Sequence, residues 1–239
     1  MRERRFESLA GAKVFKLFCH GFGQALRRFL SFMPQTKHHP TPHVSARGAR
    51  IILIRHGQPD IALRPRASHR EFGAYIDAYE AAGLDPASLP PREIADLVKE
   101  LNFVFTSGRP RAHQSACALA PHAELTADPL FAEAPLASPP LPLIRMRVQK
   151  WAVMARVLWH AGYHPGVENY AETRTRAGQA ADILMSKVKD GGAVALVAHG
   201  YFNAMIGRQL RQRGFQRSGS HRVHYWNAVI YDWKKGDAA

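Results

Sequence analysis

The stretch Ile51-Ile52-Leu53-Ile54-Arg55-His56-Gly57 decides the predicted fold. Its four consecutive apolar residues are too few for a buried helix, and they predict a strand that is covered on both faces. The strand ends on Arg55 and His56, which places a guanidinium and an imidazole at its carboxyl end. The other informative segments of the chain are interpreted relative to this strand.

Two later stretches have the same design as residues 51–57. Residues 103–106 (FVFT) run into a polar turn, and residues 193–198 (AVALVA) run into a histidine and a glycine. Because the carboxyl ends of parallel strands open onto one crevice in an open α/β sheet, we expect the side chains that follow all three strands to meet. The chain is therefore predicted to be an α/β protein with a mostly parallel sheet.

The side chains expected in that crevice are Arg55, His56, Arg111 and His199. Two guanidiniums and two imidazoles make a poor core, but they suit a tetrahedral dianion, since arginine offers planar paired donors that match phosphate oxygens. Arg111 also begins a predicted helix that ends before Pro121, and a helix N-terminus adds backbone N–H donors for an anion. The crevice is therefore predicted to bind phosphate.

With these landmarks the chain resembles the histidine phosphatase superfamily, also called the phosphoglycerate mutase-like superfamily. The resemblance rests on Arg55-His56-Gly57, on Ser107 to Ala116 (SGRPRAHQSA), which is similar to the family's Ser-Pro-x-x-Arg-Ala-x-Gln-Thr-Ala, and on Ala198-His199-Gly200. One three-residue match occurs by chance, whereas three landmarks in order at strand ends are specific. The resemblance covers about residues 50–233 and implies a three-layer sandwich, in which helices flank a mostly parallel central sheet.

The resemblance also implies an activity, the metal-independent hydrolysis of phosphomonoesters without a cofactor. His56 would carry the phosphoryl group as a phosphohistidine. The residues implied to bind phosphate are Arg55, Arg111, His199, Gly57 and Gly200. Arg109 competes with Arg111 for its role, but the spacing to the following Ala, Gln and Ser matches the family at Arg111.

Ester cleavage also needs a proton donor for the leaving oxygen, so a carboxyl group is required close to the phosphate. Glu133, within residues 128–135 (DPLFAEAP), fits the Leu-x-x-Glu pattern that supplies this acid in the family. The Gly and Trp that often follow the family's acid are missing. Asp128 and Glu168 therefore stay open as alternatives, and so does an ordinary surface role for Glu133.

The first fifty residues differ from the rest of the chain in charge. They hold ten Lys/Arg and two acids, a net of +8, which leaves 23 and 17, a net of +6, for residues 51–239. Residues 12–32 place aromatic and aliphatic side chains on one side of a helix and basic side chains on the other. We expect residues 1–34 to form a basic amphipathic helix, residues 35–49 a linker and residues 50–239 the phosphatase domain.

The amphipathic pattern of residues 12–32 has two interpretations. Such a helix binds anionic lipid, or it packs on its own domain or on a second subunit, which would make the protein a homo-oligomer. Cys19 and Cys117 are too few and too far apart for a disulfide framework, which suits a reducing cytosol. We expect a cytoplasmic protein, peripheral at the inner membrane surface if residues 12–32 bind lipid.

The sequence contains two further clusters of histidine and arginine residues, one in the linker and one after the first strand. A metal site in the linker is not expected, because no acidic or thiol partner is near its histidines, which are His38, His39 and His43. A polar stretch after the first strand either extends the cationic rim of the site, where it would select an acidic substrate, or is a solvated loop. Its residues are Arg64, Arg66, His69 and Arg70.

Helical spacing predicts the remaining elements. The helices are expected over residues 70–82, 91–100, 141–161, 168–188 and 201–213, with Gly83 as a C-terminal cap of the first. Residues 223–233 alternate and predict a last strand at an antiparallel edge. The helix at 141–161 is apolar nearly all round, which favours core packing over a cap that admits an apolar substrate.

Three other functions compete with hydrolysis. A mutase would return the phosphoryl group to another hydroxyl, but the longer family signature after Arg-His-Gly is absent. A non-catalytic anion- or lipid-binding module would not need both arginines, both histidines and an acid. Nucleic-acid binding rests on charge alone, without aromatics on a basic face, and is not expected. A small-molecule or lipid phosphomonoester is the predicted substrate.

Overall fold

The computed structural model describes residues 48–62 and 66–233. The predicted amphipathic helix at 12–32, the linker up to residue 47 with its three histidines, Cys19 and Arg64 lie outside the described residues. No helix within the described ranges combines the length and the apolar content needed to cross a membrane.

The described residues form one six-stranded sheet with the order β3-β2-β4-β1-β6-β5. Its strands are β1 (Arg50–Arg55), β2 (Phe103–Thr106), β3 (Glu124–Ala127), β4 (Ala193–Ala198), β5 (Phe215–Ser218) and β6 (Ala228–Trp233). The four strands from β3 to β1 are parallel, and β6 runs antiparallel to β1 and β5. The predicted α/β fold with a mostly parallel sheet and flanking helices is confirmed.

The two most apolar strands lie side by side in the sheet. All four residues of the β1 apolar run, Ile51 to Ile54, are at most 1% exposed, which explains why this run forms an inner strand. In the parallel register Arg55 lies beside Ala198. The residues that follow β1 and β4 therefore leave the sheet at the same edge.

Six α-helices accompany the strands within the described residues. They are α1 (His69–Ala81), α2 (Arg92–Val98), α3 (Pro110–Leu119), α4 (Val148–His160), α5 (Tyr170–Lys187) and α6 (Gly200–Gln212). The described chain divides into two compact units. The sheet unit contains residues 48–60, 82–134 and 174–233, and the insertion unit contains residues 61–62, 66–81 and 135–173.

Helices cover both faces of the sheet within the sheet unit. On one face, Ile52 and Ile54 of β1 form a core with Ala116 and Leu119 of α3. On the other face α6 approaches closely because Gly207 has no side chain, and a Cβ there would collide with the hydroxyl of Tyr231. The sheet is thus the middle of three layers.

The insertion unit has a core of its own. Phe72 of α1 stacks on Trp151 of α4, with ring centroids 5.7 Å apart. The indole N–H of Trp151 donates to the carbonyl of Ala67 at 2.7 Å, and Trp159 is also buried. These contacts agree with the core-packing interpretation of this helix.

Three predictions of secondary structure need correction. Helix α4 begins at Val148 rather than at 141, because the proline-rich residues before it form turns and Met146 pairs with Ala67. The last strand begins at Ala228, and β5, not β6, is the antiparallel edge. Gly83 does not take the left-handed conformation of a helix cap; a Cβ there would lie 2.8 Å from Oε1 of Gln114.

Candidate active site

The backbone at the end of β1 is held from both sides. The N–H of Arg55 donates to the carbonyl of Asn227 at 2.9 Å, and the N–H of His56 donates to that of Ala198 at 2.9 Å. Because each strand neighbour contributes one bond, the chain cannot swing away from the sheet where β1 ends. The imidazole of His56 is 2% exposed as a result.

The hydrogen bonds of His56 define which ring nitrogen carries the proton. Nδ1 lies 2.6 Å from the carbonyl oxygen of Gly57, which only accepts, so Nδ1 is the donor. Nε2 accepts from Nε of Arg111 at 3.3 Å. Burial, reinforced by Arg55 and Arg111, holds the pKa of His56 well below its usual value. The ring is therefore neutral, and the lone pair on Nε2 accepts this long bond from Arg111.

Gly57 fits between the end of β1 and helix α3. Its N–H donates to Oγ of Ser115 at 2.9 Å, and this hydroxyl donates to the carbonyl of Arg111 at 2.6 Å. A Cβ at position 57 would collide with the rings of Trp226 and with Leu84. A larger residue would therefore displace the backbone that fixes His56.

Arg111 and His199 form the buried floor of the site, and both are fully buried. An N–H of the Arg111 guanidinium lies 3.4 Å from Nδ1 of His199, and Nε2 of His199 lies 2.8 Å from Oγ of Ser107. Because a guanidinium N–H only donates, Nδ1 is the acceptor and Nε2 carries the proton. Burial first, then His56 and Arg111, hold the pKa of His199 well below its usual value.

Arg55 lies at the rim of this group. Its guanidinium is 4.6 Å from the ring centroid of Tyr225 and donates to the carbonyl of Val223. Its Nε is buried and has no hydrogen-bond partner among the described residues. Gly200 permits this position, since a Cβ there would lie 3.1 Å from Cδ of Arg55.

The structure thus brings together the four residues predicted from the three strand ends. The rings of His56 and His199 meet edge to face with centroids 5.1 Å apart, and Arg111 contacts both. Arg109, the competitor for that position, is exposed at the start of α3, and its backbone N–H donates to Oγ of Ser107 at 3.3 Å. Buried donors and two cations around neutral imidazoles suit a phosphate dianion.

The carboxyl group of Glu133 lies at the N-terminus of α6, the helix that begins directly after His199. Its Oε1 accepts from the backbone N–H of Phe202 at 2.8 Å, and its Oε2 accepts from that of Tyr201 at 3.3 Å. The alternative Asp128 instead accepts from the N–H of Leu130, where it caps a short 3-10 turn (Pro129–Phe131). The other alternative, Glu168, belongs to the insertion unit.

A model of the histidine phosphatase superfamily (branch 1) matches residues 51–239. The chain belongs to this superfamily. Among solved structures, the mycobacterial glucosyl-3-phosphoglycerate phosphatase is 18% identical, with a TM-score of 0.51 over 77% of this chain and 90% of its own. A mutant phosphoserine phosphatase from Entamoeba histolytica, in complex with phosphoserine, is 13% identical, with a TM-score of 0.50 over 78% and 92%. No curated protein matches the chain by sequence.

In this histidine phosphatase superfamily member, two residues near the candidate site were not predicted from the sequence. Tyr225 stacks on Arg55, and its ring centroid is 5.8 Å from that of His56. Arg176 of α5 donates to the carbonyls of Leu130 and Ala132, both at 2.8 Å, and so holds the segment that leads to Glu133. Neither residue is in a landmark motif, and the alternation of residues 223–233 concealed the turn that contains Tyr225.

The predicted cationic rim is only partly described. Arg66, His69 and Arg70 lie in the insertion unit of this superfamily member, where His69 begins α1. The backbone carbonyl of His69 accepts from the hydroxyl of Ser138 at 2.6 Å. A role of these residues in substrate selection stays a prediction.

Proposed function

We propose that this protein hydrolyses phosphomonoesters through a phosphohistidine formed on Nε2 of His56. The observation that carries the proposal is the tautomer of this ring, which is protonated on Nδ1 by the bond to Gly57 and unprotonated on Nε2. A buried imidazole that presents a lone pair beside two guanidiniums is an activated nucleophile at an anion site.

In the first step, the Nε2 lone pair of His56 attacks phosphorus in line with the ester oxygen. The N–P bond forms as the P–O bond to the alcohol breaks, and the carboxyl group of Glu133 gives its proton to the departing oxygen. We assign the guanidiniums of Arg55 and Arg111 and the Nε2–H of His199 as donors to the phosphoryl oxygens, with the Nε2–H exchanging its bond to Oγ of Ser107 for one of them. These donors stabilise the oxygens as charge redistributes, which is the main electrostatic contribution in phosphoryl transfer.

In the second step, water attacks the phosphohistidine and the N–P bond breaks. Glu133, now a carboxylate, takes a proton from the attacking water, and inorganic phosphate leaves. His56 returns to its neutral form with the electron pair on Nε2. The position of Glu133 at the start of the helix after His199 supports its assignment as this acid and base.

The first test is the hydrolysis of an aryl phosphate in metal-free buffer, with trapping of an acid-labile phosphoenzyme in parallel. We expect His56→Ala to abolish both signals. The control is His113→Ala, which removes an exposed histidine of α3 and should leave both intact. Wild-type protein that hydrolyses the ester without a trappable phosphoenzyme would contradict the covalent route. Phosphoenzyme that transfers its phosphoryl group to an added hydroxyl rather than to water would identify a mutase.

A narrower proposal concerns the substrate. The basic amphipathic pattern of residues 12–32 supports a phosphorylated lipid, presented at an anionic membrane surface. The comparison that tests it is kcat/KM for a lipid phosphomonoester in vesicles against a water-soluble sugar phosphate. Preference for the sugar phosphate would contradict it without affecting the phosphohistidine mechanism.

A further inference from the structure

An apolar tip of the insertion unit is open to solvent. It consists of Leu143 and Ile144, whose exposures are 103% and 42%. Val153, on the following helix, is 44% exposed. Three of the six exposed large apolar residues in the described ranges thus lie within eleven positions, and such a concentration is typical of an interaction site rather than of ordinary surface.

Backbone hydrogen bonds on both sides of the tip hold its turn in place. Leu143 has a φ of 69°, the left-handed conformation that is unfavourable for a branched residue. On one side, the N–H of Leu141 donates to the carbonyl of Pro139 at 2.9 Å; on the other, Met146 and Ala67 exchange two backbone bonds of 2.9 and 3.1 Å. Because these bonds close the turn, the exposure of Leu143 is built into the fold.

Cations follow the tip along the chain. No Asp or Glu occurs between Glu133 and Glu168, and the exposed cations nearest the tip in sequence are Arg145, Arg147 and Lys150. Arg145 pairs with Glu71 at 3.0 Å, whereas Arg147 and Lys150 form no ion pair within the described residues. Lys150 is three residues before Val153 on α4, so a cation and an apolar side chain share the exposed face of that helix.

We propose that this surface docks the protein on an anionic phospholipid bilayer. Leu143 and Ile144 would enter the boundary between headgroups and acyl chains, as interfacial apolar side chains do. Arg147 and Lys150 would bind lipid phosphates, with their aliphatic stems lying along the apolar layer.

Charge distinguishes the bilayer from a second copy of the chain. A symmetric dimer through the tip would place the same patch on both partners. Arg147 and Lys150 of each copy would then face like charges, which costs binding energy. An anionic lipid surface complements both the apolar tip and its cations.

The decisive experiment uses full-length protein with Cys19 and Cys117 replaced by serine and an environment-sensitive fluorophore on Leu143→Cys. Vesicles of phosphatidylcholine with an equal part of phosphatidylglycerol should increase its emission severalfold, and nitroxide-labelled acyl chains should quench it. Vesicles of phosphatidylcholine alone should not. The matched control is Leu89→Cys, at a leucine that is 75% exposed and lies four residues after Asp85 in the chain, and its label should not respond.

Two outcomes would overturn the proposal. One is protein that sediments with anionic vesicles while the label at 143 stays in water, which would assign the binding to another segment such as residues 12–32. The other is a fluorescence change that depends on protein concentration without vesicles and accompanies a dimer in gel filtration. Fluorescence does not require catalysis, so failure here is distinguishable from failure of the proposed phosphatase activity.

A second measurement uses the sedimentation of full-length variants with the same anionic vesicles. The double variant Leu143→Ser, Ile144→Ser should partition about tenfold less, because two apolar side chains no longer leave water. Leu89→Ser should partition like the wild type. Equal partition of the double variant and the wild type would contradict the role of the tip, and unchanged circular dichroism shows that each variant is folded.

Discussion

At the residue scale, one hydroxyl connects the two sides of the candidate active site. Ser115 accepts from the N–H of Gly57 and donates to the carbonyl of Arg111. Gly57 follows His56 in the chain, and Arg111 contacts the ring of His56. The serine is fully buried, and its hydroxyl is the acceptor that the N–H of Gly57 uses inside the protein. Ser115 therefore fixes the positions of Gly57 and Arg111, and it adds no charge to the site.

We predict that Ser115→Ala lowers the free energy of unfolding by about 1–3 kcal/mol, because the buried N–H of Gly57 loses its acceptor. Urea unfolding measures this change, and kcat on an aryl phosphate should fall in parallel. Ser186→Ala is the control, because that serine is exposed on α5 and its hydroxyl donates to the carbonyl of Ile183 one turn earlier. Equal stability of the two variants would show that Ser115 is dispensable.

The neutral histidines make stability depend on pH. His56 and His199 have a lowered pKa in the folded protein, whereas the unfolded chain has histidines with a pKa of about 6.5. Below that pH the unfolded state binds protons that the folded state does not. Their stabilising contribution is therefore complete above about pH 6.5 and decreases as the pH falls towards the folded pKa.

We predict that His199→Asn reduces the slope of unfolding free energy against pH between about pH 6.5 and 5, by at most about 1.4 kcal/mol per pH unit. Urea unfolding at several pH values measures the slope. Replacement of the exposed His113 by asparagine should leave it unchanged. A slope equal to that of the wild type in His199→Asn would mean that His199 is protonated in the folded protein.

At the scale of elements, α6 connects the sheet with the site. A backbone N–H at its N-terminus donates to the carboxyl group of Glu133, and its middle packs on β6 at Gly207. Because Tyr231 is buried, a side chain at position 207 would force its ring or the helix to shift. Since the same helix begins after His199, a shift of the helix changes the site as well as the core.

We predict that Gly207→Ala destabilises the protein by about 1–3 kcal/mol through overpacking. Gly178→Ala on α5 is the matched control, since its Cβ would meet nothing closer than 3.6 Å, an ordinary contact. That variant should gain about 0.5–1 kcal/mol from helix propensity. Thermal unfolding of both variants tests the pair, and equal shifts in the same direction would contradict the packing argument.

The elements also show what the sequence was able to predict. β1 and β4 were predictable because their apolar runs are buried on both faces, and the residues after them are fixed by that burial. The edge strands β3 (ELTA) and β5 (FQRS) carry no comparable signal, because their neighbours in the sheet provide most of their stabilisation. The ends of three strands were enough to predict four residues of the candidate site. Tyr225 was not predicted, because no local sequence pattern encodes its ring contact with Arg55.

At the scale of the whole molecule, charge is the dominant property. The net charge is +14, and both the N-terminal fifty residues and the acid-free stretch from 134 to 167 contribute to it. We predict that partition of the full-length protein onto anionic vesicles falls at least about tenfold when the salt concentration rises from about 0.1 M to 0.5 M, because surface charges are screened. Vesicle sedimentation at several salt concentrations measures this, and salt-independent partition would assign the binding to apolar contacts alone.

The indole of Trp226 has a consequence for experiments. Its backbone N–H lies 3.4 Å from the carbonyl of His56, its ring fills the space above Gly57, and its indole N–H donates to Oγ of Ser88 at 3.0 Å. Tryptophan emission responds to small changes in local field, so the molecule contains an optical reporter beside His56, the proposed nucleophile. Titration with orthovanadate should change the emission of the wild type but not that of Trp226→Phe, and the titration would give the occupancy of the site without any substrate.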